Sequence, residues 1–210
     1  MDAEIEILKD LVEGRTDIFE FIELFKVSDT LRSRLDSNRE FYYKHIYLKN
    51  YGYSVTAYIL LQNAKSAGGQ LNVFGIIESY LEANKIIFKP TDYYKKRYIL
   101  LLDIQPQFLY SSCGQVEEYL EKNVIDTIPE EFNKSKTKRI QYCKAKIKEL
   151  FRCETKYPYW LQNCEWPFNE KGEPMTFLYQ KRKKEGDYIK YLYYFSDKDT
   201  GEIVEVEQYD

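Results

Sequence analysis

The apolar period of this 210-residue chain changes near residue 154. Upstream, apolar side chains recur every three or four residues, which places them on one face of a helix. Downstream they alternate, which places them on one face of a strand. The helical pattern thus precedes the strand pattern along the chain. This predicts an α+β fold. Antiparallel helical hairpins are expected over residues 1–154, and a Trp/Pro-rich segment followed by a small three-stranded antiparallel meander over 155–210.

The helical half can be read element by element. Ile5, Leu8, Leu11 and Val12 share one face. Thr16-Asp17 can cap a second helix, with Ile18, Phe19, Ile22 and Phe25 turned inward. Ser28-Asp29 opens a third helix carrying Leu31 and Leu35, and Ser37-Asn38 precedes Phe41, Ile46 and Leu48. Val55, Ile59 and Leu60 form another stripe, for which Gly68-Gly69 is the expected terminator. Leu71 to Leu81 repeats the helical pattern, and Pro90-Thr91-Asp92 begins a further helix. Ile99 to Leu102 fits either the end of that helix or a buried strand. Helices near 12 residues with short loops suit antiparallel neighbours.

Residues 134–152 read as one long helix with Ile140, Cys143, Ile147, Leu150 and Phe151 on its apolar stripe. Lys136, Lys138, Arg139, Lys144, Lys146 and Lys148 occupy much of the rest. A charge run of this kind is read first as a solvated face. The formal net charge of −3 argues against a protein built mainly to hold nucleic acid.

No catalytic constellation stands out. His45 is the single histidine, and nothing near it resembles a nucleophile elbow. Cys113, Cys143, Cys153 and Cys164 are spaced by 30, 10 and 11 residues, too far apart for a zinc knuckle or a redox pair, so free thiols are expected. No metal or cofactor is expected, and the reading is that of a protein that is not an enzyme. The N-terminus is acidic from its second residue and no apolar run could span a bilayer, which places the expected location in the cytoplasm, with no membrane partner.

The last quarter is the most specific. Its turns are set by Gly172 and Pro174, by Gly186-Asp187, and by Ser196-Asp197-Lys198-Asp199-Thr200-Gly201, where Asp side chains bind local amides and Gly supplies a positive φ. Met175, Phe177 and Tyr179 are expected on one face of the first strand, and Ile189, Tyr191, Tyr193 and Phe195 on one face of the second. Ile203, Val204 and Val206 belong to the third. A sheet this small needs a cover, for which Trp160, Trp166, Phe168 and the basic helix are the candidates.

The motif residues are Trp160-Leu161-Gln162, Glu165-Trp166-Pro167, Gly172-Glu173-Pro174-Met175-Thr176-Phe177 with Gln180, Asp197 to Glu202 with Gly201, and Gln208. In this order and spacing they resemble a block found in small bacterial immunity proteins of polymorphic-toxin and contact-dependent inhibition systems. The resemblance covers about a quarter of the chain and rests on turn and packing residues. It implies a cytoplasmic protein that occludes a cognate protein toxin. The candidate contact residues are the acidic Glu13, Asp17 and Glu20, or a Tyr-rich patch at Tyr42, Tyr43 and Tyr47, because occlusion needs surface complementarity rather than reactive groups. Two alternatives stay open: a helical scaffold for a host partner, and a carboxylate-based enzyme.

Overall fold

A computed structural model describes residues 2–37, 52–110, 114–186 and 188–210. Among these residues there are eight α-helices followed by one three-stranded antiparallel sheet, an α+β fold. The chain divides into two compact units, Met1–Ile99 and Leu100–Asp210. The change of apolar period near residue 154 lies inside the second unit.

The first unit is helical. Helix α1 (Ala3–Val12) is capped by Asp2, α2 (Ile18–Val27) by Asp17, α4 (Val55–Leu61) by Ser54 and α5 (Ala67–Ala83) by Ser66; each cap side chain accepts a first-turn N–H that the helix itself leaves unpaired. Helix α3 (Asp29–Ser37) follows α2 directly, and α6 (Tyr93–Ile104) begins after Pro90-Thr91-Asp92. The core gathers Leu8, Leu11 and Val12 from α1, Phe21 and Phe25 from α2, Leu31 and Leu35 from α3, and Val73 and Ile77 from α5.

Three expectations need correction here. Phe19 is not inward: it is 50% exposed, and Phe21 takes the core position, one turn from Ile18 and Phe25. Leu60 is also exposed, while Val55 and Ile59 are buried. Gly68-Gly69 does not end a helix but lies in the first turn of α5. Gly69 is required there by close approach, since a Cβ would overlap the Asn63 carbonyl. Ile99–Leu102 is helical, which resolves the open choice at that segment.

In the second unit, α7 (Gly114–Leu120) runs into a π-helical turn over Glu121–Ile125. The basic helix α8 (Lys136–Leu150) is capped by Ser135 and buries Cys143 and Ile147, with Phe151 just beyond its end. Strands β1 (Thr176–Glu185), β2 (Tyr188–Ser196) and β3 (Ile203–Tyr209) pair in sequence order. A register shift between Phe177 and Tyr179 breaks the alternation of β1. Met175 and Phe177 are buried as expected, but beyond the bulge Tyr179 turns outward and is exposed.

The sheet is covered as its size demands. The Trp166 ring lies between Phe151 at 5.3 Å and Phe195 at 5.3 Å, and its indole N–H donates to the Met175 carbonyl at 2.8 Å. Phe168 meets Phe151 edge-on, and the chain after α8 is tied to β1 by hydrogen bonds from Phe177 N to the Arg152 carbonyl and from Glu154 N to the Phe177 carbonyl. Among the described residues no helix is long and apolar enough to cross a membrane.

Candidate binding surfaces

The motif residues of the tail converge on one short segment, Tyr159 to Asn163. Gln208 is 2% exposed and its side-chain oxygen accepts from Leu161 N and Gln162 N, both at 3.0 Å. Its amide nitrogen donates to the Asn163 carbonyl at 2.8 Å and to Glu165 Oε1 at 3.2 Å. The Tyr193 hydroxyl accepts from Leu161 N at 2.8 Å. Gln180 holds Tyr159 from the other side, accepting from its N–H at 2.8 Å. Gln162 donates to the Tyr209 carbonyl at 2.7 Å. Burial pushes the Tyr193 phenol up, so it stays protonated at neutral pH. A segment without regular secondary structure is thus fixed at backbone level by two glutamines and a tyrosine of the sheet, and Gln162 of the segment reaches back to the Tyr209 backbone.

The remaining motif residues set the frame around it. Gly172 has φ +73° in the turn between Pro167 and Pro174. Met175 N donates to the Pro167 carbonyl at 3.0 Å, and Phe168 bridges Pro174. Asp197 accepts from Asp199 N at 2.9 Å, which holds its carboxyl below the ordinary carboxylate range, and Gly201 closes the turn with φ +73°. Asn169 Nδ2 donates to Asp197 Oδ1 at 3.3 Å, joining the two turns. These residues act as scaffold.

What the scaffold presents is a cleft of about 460 Å³. One wall is Phe108 stacked on Tyr157, with ring centroids 3.8 Å apart and planes 5° apart. Trp160 lies alongside, its indole N–H donated to the Phe108 carbonyl at 2.8 Å. Tyr110 and Tyr159 stand at the rim, 63% and 70% exposed. Gln107, Gln162 and Asn163 supply amides, and among the described residues no side chain lining the cleft carries a charge. Sequence reasoning missed this cleft because its walls come from positions some 50 residues apart.

A second surface lies in the first unit. Helix α2 reads IFEFIELFKV and has three polar positions, Glu20, Glu23 and Lys26. Ile18, Phe21, Ile22 and Phe25 face the core. At 100° per residue, Phe19, Glu20, Glu23, Leu24 and Val27 share the opposite arc of about 140°. Phe19 is 50%, Leu24 41% and Val27 80% exposed. Apolar side chains on both faces are the mark of an interior helix, yet half of this one meets water.

The three acidic candidates have different surroundings. Glu13 accepts from Lys89 N at 3.0 Å and pairs with Arg15 at 2.7 Å. Asp17 caps α2, accepting from Phe19 N and Glu20 N at 2.7 and 2.9 Å. Glu20 is exposed on the outer face of α2 and has no ion-pair partner among the described residues, while Glu23 pairs with Lys26 at 2.6 Å. Tyr42, Tyr43 and Tyr47 lie outside the described residues, as do His45 and Cys113.

Cys143 and Cys164 are buried and Cys153 is half-buried, none of the three in a disulfide; burial pushes the Cys143 thiol up to about 11. Among the described residues no group of three or more His, Cys, Asp or Glu side chains is placed to hold a metal ion. The chain matches no protein-family model, and neither a curated protein nor a solved structure shows significant similarity to it.

Proposed function

We propose that this protein is a non-catalytic binding protein of the immunity type, which neutralises a cognate protein toxin by covering a surface the toxin needs. The observation that supports this most is the outer face of α2, where Phe19, Leu24 and Val27 stand in solvent alongside Glu20 and Glu23. A cluster of apolar side chains on a rigid helix supplies the desolvated centre of an interface, and flanking carboxylates steer a cationic partner and fix its register. The fitting partner surface is an apolar groove ringed by Lys and Arg. The face lies on a capped helix whose inner side is locked in a core, so little ordering entropy opposes binding. The resemblance of the tail adds the identity of the partner class, and the helical unit supplies the contact.

Co-expression with the product of the neighbouring gene tests this reading. The expected result is a stable complex with a protein that is toxic on its own, and restored growth. A partner without toxicity, bound just as stably, would replace the immunity reading with the scaffold one.

A further inference from the structure

From the Tyr/Trp cleft of the second unit we infer a separate binding site for a short, uncharged, proline-rich peptide segment in polyproline II conformation. The site is distinct from the α2 face and does not rest on the immunity reading.

Three observations lead to this ligand. The cleft is built: Gln180, Tyr193 and Gln208 fix the backbone of residues 159–162 while the Tyr159 ring is left 70% exposed. Locking the backbone beneath an exposed ring removes the backbone share of the ordering cost of stacking on it. The described lining of the cleft is also uncharged, although 31% of the chain is Asp, Glu, Lys or Arg. A charged ligand group would lose hydration there and gain no counter-charge. Finally, flat aromatic plates stand beside phenol and amide donors. Prolyl rings lie against such plates, and a polyproline II chain leaves its carbonyls unbonded and ready to accept. Burial pushes the Tyr157 phenol up, so it too remains protonated at neutral pH. At about 460 Å³ the cleft admits a few residues of an extended chain.

The two tryptophans make the test direct. Trp166 is buried and Trp160 lines the cleft, so a ligand-induced change in indole emission reports on Trp160. The full chain is titrated with a ten-residue peptide of Pro, Ala and Gln, with the same peptide carrying three Lys or three Asp, and with a neutral glucose hexasaccharide. The expected result is a saturable emission change with the neutral peptide only. Tyr159→Ala, at an exposed ring, weakens binding at least tenfold, whereas Tyr179→Ala on the sheet leaves it unchanged. In Trp160→Phe the emission change disappears, which assigns the signal to the ring that lines the cleft. Saturation by the saccharide alone would overturn the proposal, as would equal binding of the charged peptides. So would unchanged affinity in Tyr159→Ala, or no binding at millimolar peptide.

Discussion

Gln208 shows how one side chain can fix a loop. It serves two backbone N–H groups and one backbone carbonyl of the 161–163 segment while nearly fully buried. Replacing it with Leu keeps the bulk but leaves Gln162 N and the Asn163 carbonyl unserved, while Leu161 N keeps the Tyr193 hydroxyl, and an unmet buried polar group costs about 1–3 kcal/mol. Gln208→Leu should therefore lower unfolding free energy by roughly 2–4 kcal/mol in urea titration and shift Trp160 emission toward that of water-exposed indole. A second residue-scale expectation concerns pH. Hydrogen bonds from Lys190 and then Tyr209 hold the Glu207 carboxyl down to about 2 from its ordinary 4.5. A depressed carboxyl contributes stability that is present above pH 4.5 and lost as pH falls through 4.5 toward 2. The pair is at the surface, so the effect is modest and screened by salt. Glu207→Gln should show a smaller drop in melting temperature between pH 6 and pH 3 than the parent chain. Some of these residue roles were legible in the sequence. The Asp17 cap and the Asp197–Gly201 turn could be read because their hydrogen bonds are local. Gln208 was visible only as a motif position, because its partners lie some 45 residues upstream.

At the scale of elements, the apolar period located the helices and strands and mistook some of their faces. In α2 seven of the ten positions are apolar and lie on both faces, so periodicity could not decide between Phe19 and Phe21. Tyr179 was placed inward by strict alternation, which the bulge in β1 breaks. Gly68-Gly69 was read as a terminator by the local rule for glycine, whereas the reason for Gly69 is a tertiary contact with Asn63. The two faces of α2 give a sharp contrast. Phe21 is buried, so Phe21→Ala should cost about 3–5 kcal/mol through the lost contacts and the cavity. Phe19→Ser should change stability by about 0.5 kcal/mol or less, as for surface substitutions generally. Equal losses in the two variants, measured by urea titration, would mean that Phe19 is covered in solution and that α2 presents no free face.

For the whole molecule, the proposed division of labour gives the helical unit the contact with a partner and the motif of the tail a scaffolded cleft. Glu13 and Asp17 are unsuitable probes of that claim, because their carboxylates already hold Lys89 N and the first turn of α2. Glu20, Phe19 and Val27 are suitable, since they are exposed on the outer face of α2. The most direct measurement is the affinity of the co-purified partner for the parent chain and for the double variant Phe19→Ser/Val27→Ser, with melting temperatures measured alongside. The account predicts a loss of at least about 100-fold, the scale of two central interface residues, with the melting temperature unchanged. A further, salt-dependent loss is expected on Glu20→Lys. Undiminished affinity in the double variant would contradict the account and place the contact on another surface.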